Sequence, residues 1–201
     1  MYFKYSMEEL ESLKSKDDKL KKAIEKIGMI KRKTYPDLFY GLIKTIAGQQ
    51  ISTKAAATVW NNILEKVKRV TPENLNKTSI DEIQACGTSF RKAEYILLAA
   101  KAFALKELDI NKLKELEDEA FIKELIKLKG VGVWTAEMLL IFSLNRMNVL
   151  SYNDLGIRRG IKRLYNLEDL DKEKFNQYKE KYSPYNSIAS LYLWEISSGG
   201  I

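Results

Sequence analysis

Proline occurs at only three positions in this chain, Pro36, Pro72 and Pro184, and each stands where a helix can begin. That placement constrains the fold more than any other feature. Inside a helix, proline removes an amide donor and clashes with the preceding turn; at the first helical position neither penalty applies. Thr71–Pro72–Glu73 reads as an N-cap followed by a first-turn proline. Pro36 opens the segment to Gln49 in the same way, and Pro184 opens Tyr185 to Ile196. Apolar residues recur at helical spacing between these points, and no alternating stretch is long enough to specify a strand. The expected class is all-α. Helices are predicted over Met7–Ile27, Pro36–Gln49, Thr53–Val67, Ser79–Cys86, Ser89–Ala104, Glu119–Leu128, Val133–Asn145, Asp154–Leu164, Asp171–Lys181 and Tyr185–Ile196, with a turn at Asn111–Leu116.

A chain of 201 residues, 45% hydrophobic, is long enough to bury a core without staples. Lys and Arg number 34 against 27 Asp and Glu, a net charge of +7. Such an excess fits an anionic partner such as nucleic acid, or simply a lysine-rich solvated surface. The chain has no histidine and one cysteine, Cys86. Histidine-based nucleophiles and bases, the usual zinc sites, an internal disulfide and a four-thiolate iron–sulfur cluster are therefore excluded. Acid–base chemistry falls to carboxylates, Lys, Tyr or Cys, and neither a metal nor another cofactor is expected. No apolar run approaches the roughly 20 residues of a membrane span, and no signal peptide opens the chain. No membrane partner is expected; the expected place is cytoplasmic, nucleoid-associated in a prokaryote.

The most informative local string is LIKLKGVGVWTAEMLLIF, Leu125 to Phe142. A helix ends near Lys129, Gly130–Val131–Gly132 make a turn, and an apolar helix starts. Two glycines permit positive φ and present successive amides at a helix N-terminus, where phosphate binds readily. Val131 anchors the turn inward, and the Thr135 hydroxyl and Lys129 are candidate phosphate contacts. Gly-x-Gly alone also suits any connection between packed helices. The longer string, with Trp134–Thr135–Ala136 after the turn, resembles the helix-hairpin-helix of DNA repair glycosylases.

The second string is NVLSYNDLGIRRGIKRLY, Asn148 to Tyr165. The stretch between Gly132 and Asp154 leaves room for a helix about 20 Å long and a short return. Asp154 then stands at the mouth of the next helix, where an aspartate has a plain role as N-cap. DLGIRRG closely resembles the stretch that carries the catalytic aspartate of helix-hairpin-helix glycosylases. The chemistry needs such a group, because breaking an N-glycosidic bond builds positive charge on the sugar and a buried carboxylate stabilises it. Arg158 and Arg159 follow on the same helix, as DNA contacts or as partners of acidic side chains.

Three further strings match in family order. IAGQQIS, Ile46 to Ser52, resembles the helix end that carries the DNA-probing wedge, with Gln50 at the wedge position and Gln49 and Ser52 as neighbouring DNA contacts. Paired glutamines at a helix end are also ordinary polar surface. GTSFRKAEYILLAAKAF, Gly87 to Phe103, resembles the helix with basic residues after a glycine-x-serine start; Arg91 and Lys92 are candidate phosphate contacts. YSPYNSIASLYLWEI, Tyr182 to Ile196, resembles the C-terminal signature, with Asn186 where the family has arginine. Trp194, at helical spacing, reads as core.

The resemblance spans about residues 35 to 196 and implies a two-lobed glycosylase fold. A central lobe would run over about 35–150, with its hairpin near 128–133; a second would combine 1–34 with 151–201, and the active-site cleft would lie between them. In the lyase branches a lysine stands two residues beyond the second hairpin glycine; here that residue is Trp134, which cannot act as an amine nucleophile. The cluster-bearing branch is excluded by the single cysteine. What remains is similar to the alkylation-repair 3-methyladenine glycosylase II branch. The resemblance implies a monofunctional enzyme that excises bases such as 3-methyladenine and 7-methylguanine from double-stranded DNA, acting as a monomer. Phe39, Trp134, Tyr152 and Tyr185 are candidate pocket aromatics, at least one of them expected to be core. A bifunctional glycosylase/lyase and a non-catalytic DNA-binding protein are the alternatives.

Overall fold

The computed structural model describes residues 1–35 and 37–200. The helix start expected at Pro36 lies outside them. Among the described residues no strand forms; extended pairing is limited to a bridge between Tyr2 and Lys33. The chain divides into two compact units, Met1–Thr34 with Leu140–Ile201, and Tyr35–Leu139.

The Tyr35–Leu139 unit contains α3 (Leu38–Gly48), α4 (Thr53–Val67), α5 (Pro72–Leu75), α6 (Ile80–Ala85), α7 (Phe90–Ala104), α8 (Ile110–Glu115), α9 (Asp118–Leu125) and most of α10 (Val133–Phe142). Its helices start where their caps stand. Asp37, Ser52, Thr71, Ser79, Ser89 and Asp109 each accept a first-turn amide through the side chain. Pro72 occupies the first turn of α5, as its position predicts. The segment expected as a turn at Asn111–Leu116 is instead the short helix α8, because Asp109 caps it and Leu113 buries one face. Helix α7, alanine-rich on its inner side, packs against α3, α5 and α6. Phe39 is buried there, its ring edge-on to Phe103 at 5.4 Å. It packs as a core residue.

The other unit contains α1 (Met7–Lys16), α2 (Asp18–Ile27), α11 (Leu155–Tyr165), α12 (Lys172–Tyr182) and α13 (Asn186–Ser198). The single helix expected over Met7–Ile27 is broken at Asp17, whose extended backbone ends α1 and whose carboxylate caps α2 through the Leu20 amide. Asp17 is buried and also receives Tyr165 Oη–H and the Lys181 ammonium. Burial works against its charged form. The hydrogen bonds from Lys181, Tyr165 and Leu20 outweigh that and hold the carboxyl below its ordinary range.

Helix α13 is buried along most of its length and packs on α11, α2 and α12. Gly160 makes the α11 contact close: a Cβ there would lie 2.2 Å from the Leu193 carbonyl oxygen. The division of the chain falls within α10, earlier than the boundary expected near 150. The physical reason is Ser187 and Ser190. The Ser187 amide donates to Met147 O, the Val149 amide to Ser187 Oγ, Ser187 Oγ to Arg146 O and Ser190 Oγ to Val149 O, stitching 146–149 to α13.

Candidate active site

Asp154 is the N-cap of α11 and is buried, 8% exposed. Its Oδ1 accepts the Ile157 amide at 2.9 Å and the Trp194 indole N–H at 3.0 Å. The cap reading of this residue is thus correct as local structure, but a cap needs only the first of these bonds. The second brings an aromatic donor from another helix onto the same oxygen. Gly156 leaves room for it, since a Cβ there would stand 2.8 Å from the Trp194 ring. Trp194 was expected in the core. It is half-buried, stacks on Phe142 at 5.7 Å and carries the Arg32 guanidinium 5.9 Å from its ring centre. The signal for this role lay in the paired glycines of DLGIRRG, which only a close neighbour across α11 explains.

Around Asp154, Arg158 lies one turn along α11 with its guanidinium 5.0 Å from the centre of the Tyr152 ring, and Arg159 is exposed. Tyr152 is half-buried, edge-on to Phe175. Tyr185 precedes α13, half-buried, with the Lys16 ammonium 6.0 Å from its ring centre. Asn186, where the family carries arginine, is fully buried. Its Nδ2 donates to Asn148 Oδ1 and to Lys179 O on α12, so the residue ties the segment at Asn148 to α12 and offers no charge.

In the Tyr35–Leu139 unit the hairpin follows α9. The Val131 amide donates to Leu128 O, Val131 is buried, and Lys129 is exposed. The two glycines differ. Gly130 has φ +80°, and a Cβ on it would meet the Tyr95 ring at 2.0 Å. Gly132 has no positive φ and nothing within 4 Å of its missing Cβ. It is exposed at the start of α10, with its carbonyl accepting the Ala136 amide. The first-turn amides of a helix point out of its N-terminus, a ready anion site. Thr135, expected to reach phosphate, is 2% exposed. Its Oγ1 accepts Gln49 Nε2 at 3.1 Å, so it faces inward. Trp134 is half-buried on the first turn of α10.

Just after α3, Gln50 is exposed with φ +56°, a left-handed conformation in the turn that leads to α4. Gln49 turns inward and bonds to Gly130 O and Thr135 Oγ1. Lys92, expected at phosphate, donates to Ala47 O and Gln49 O. It caps the carbonyl end of α3, and burial pushes its ammonium below its ordinary range. Arg91 is exposed at the start of α7, and Ser52 is exposed while capping α4. The inward roles of Gln49 and Lys92 carry no signal in the sequence, where both read as surface polar residues.

A family model, "HhH-GPD superfamily base excision DNA repair protein", matches residues 43–184. DNA-3-methyladenine glycosylase 1 of Schizosaccharomyces pombe is 32% identical over 193 residues, covering 90% of this chain and 83% of that protein. The crystal structure of a DNA-3-methyladenine glycosidase from Bacillus halodurans superposes with a TM-score of 0.84 at 34% identity, over 98% of this chain and 92% of that one. The S. pombe enzyme Mag1, in complex with abasic DNA, superposes with a TM-score of 0.82 at 29% identity, over 94% and 96% of the two chains. With its all-helical fold, its glycine hairpin and the capped aspartate of DLGIRRG, the chain belongs to the HhH-GPD superfamily of base excision DNA repair proteins, in the 3-methyladenine DNA glycosylase branch.

Proposed function

We propose that this protein extrudes alkylated bases from duplex DNA and hydrolyses their N-glycosidic bonds, with Asp154 as the catalytic carboxylate and an intact abasic strand as product. It is a DNA N-glycosylase of the 3-methyladenine type, and its partner is DNA. The observation that carries the residue assignment is the carboxylate of Asp154, buried and held by two donors on one oxygen. As the glycosidic bond lengthens, positive charge grows on the sugar. A carboxylate already oriented and shielded from bulk water stabilises that charge without reorganising. It also orients or deprotonates the attacking water.

A cationic alkylated base leaves easily, so little leaving-group acid catalysis is needed and selection rests on shape and cation–π stacking. Trp134, Tyr152 and Tyr185 are half-buried aromatics suited to that stacking. The exposed Gly132, with open space beside it, admits close approach of a phosphate to the amides that open α10. Gln50, exposed at its turn, is the wedge that fills the vacated stack. The test is single-turnover release of base from methylated duplex DNA by wild type and Asp154→Asn. Release by the variant at the wild-type rate, with the fold intact, overturns the assignment.

A further inference from the structure

We propose that Gln49 is a positioning residue that holds the wedge Gln50 at a fixed register to the phosphate-gripping hairpin. Gripping the backbone and filling the vacated stack then occur as one event. The inference rests on the wedge and hairpin readings given above.

The geometry is local to the Tyr35–Leu139 unit. Gln50 keeps a left-handed backbone, φ +56°, that a residue with a side chain holds only where its surroundings over-determine it. Two side chains, Lys92 and Gln49, do so with four hydrogen bonds. Lys92 donates to the carbonyls of Ala47 and Gln49, on either side of the end of α3. Gln49 Nε2 donates to Gly130 O at 3.0 Å and to Thr135 Oγ1 at 3.1 Å. On the far side of that bond, the Tyr95 ring occupies the space a Gly130 side chain would need. Lys92 and Tyr95 are neighbours on one face of α7, so a single helix supports the wedge turn with one residue and the hairpin turn with the other.

Closing α3 does not require the Gln49 side chain. The helix end is served by the Gln49 backbone amide, which donates to Ile46 O, and by Lys92 on Ala47 O, with no part taken by the Gln49 side chain. The Gln49 side-chain amide goes instead to the carbonyl of Gly130, the one hairpin residue with positive φ, and to the first turn of the helix whose N-terminus would meet phosphate. A side chain bonded to both elements, one residue before the wedge, sets the distance between them. Thr135 is buried, with its hydroxyl in this tie.

The test is a double-variant cycle on the full chain with Gln49→Leu, Gln50→Ala and the pair together. The measurements are single-turnover base release from methylated duplex, fluorescence of 2-aminopurine placed beside the lesion as a report of unstacking, and affinity for undamaged duplex. Gln49→Leu is expected to lower excision and the unstacking signal about tenfold while changing affinity for undamaged duplex less than about threefold. Because Gln49 acts through Gln50, the double variant is expected to match Gln50→Ala alone. Multiplying effects in the double variant, or an equal loss of affinity for undamaged duplex, overturn the inference. A silent Gln50→Ala sinks the wedge reading, and this inference with it. If Gln49→Leu does not fold, Thr135→Val, which removes one of the two acceptors from a buried site, carries the same cycle.

Discussion

The Trp194 indole N–H reaches Asp154 Oδ1 at 3.0 Å, on the same oxygen that caps α11 through the Ile157 amide. One oxygen thus serves the helix and is steered by a neighbouring helix. Trp194→Phe keeps the stack on Phe142 and removes the donor. Excision is expected to fall about tenfold with little change in DNA affinity, because the lost bond orients a charge used mainly in the transition state. Unchanged single-turnover rates would show the indole N–H to be idle.

The double role of Asp154 makes the choice of variant decisive. Asparagine caps a helix about as well as aspartate, whereas alanine costs about 1 kcal/mol of stability. Asp154→Asn is therefore expected to melt near wild type and to lose at least about a hundredfold in excision, with DNA affinity nearly intact. Asp154→Ala is expected to lose both stability and activity. Thermal melting beside base release separates the two functions.

The two hairpin glycines are expected to fail in different ways. Gly130→Ala puts a methyl group into the Tyr95 ring at a positive φ, so thermal stability should fall by about 1–3 kcal/mol. A Cβ at Gly132 has open space for 4 Å around it and the backbone there is not left-handed, so Gly132→Val should largely keep stability. DNA affinity should fall instead, equally for every sequence, as backbone contacts carry no sequence information. A sequence-selective loss in the Gly132 variant would contradict a phosphate role.

Acid should weaken the fold through Asp17. Its carboxyl is held below the ordinary value of 3.8. The unfolded chain therefore binds the proton first as pH falls. The stabilisation is full above the unfolded value and disappears as pH drops through the folded one. Asp17→Asn should remove this acid dependence and cost about 1–3 kcal/mol at neutral pH, the lower end reflecting the half-exposed Lys181. Urea titrations at several pH values, on both proteins, measure the difference.

Local chemistry was legible in the sequence where a cap or a periodic face decides the outcome. Ser52, Thr71, Ser79, Ser89, Asp154 and Asp171 each stand at the helix start that their side chains predict. Asp17 was missed because an aspartate between two charged, periodic segments reads as solvated surface, whereas its partners Tyr165 and Lys181 come from α11 and α12. For the same reason Lys92 and Thr135 were expected at phosphate. Their types fit that task, but long-range bonds to Ala47, Gln49 and the Gln49 side chain turn them inward. Trp194 shows the converse, since helical spacing alone does not distinguish an indole packed in a core from one that donates to a carboxylate.

The absence of a lyase step is the last expectation. Strand cleavage after base loss needs an amine that attacks C1′ and forms a Schiff base. The residue in the position where lyase branches carry that amine is Trp134, half-buried on the first turn of α10. Lys92, another candidate by proximity in the same unit, has its ammonium committed to two carbonyls. The product should therefore be an unbroken strand with an abasic site. Surface lysines are abundant, and slow cleavage by one of them is distinguished by its rate. In single-turnover reactions on methylated duplex, breaks should appear only after hot alkali, and borohydride should trap no covalent complex. Breaks that keep pace with base release, together with a trapped complex, would replace hydrolysis by amine catalysis. Lys129, exposed immediately before the hairpin glycines, would then be the first residue to change.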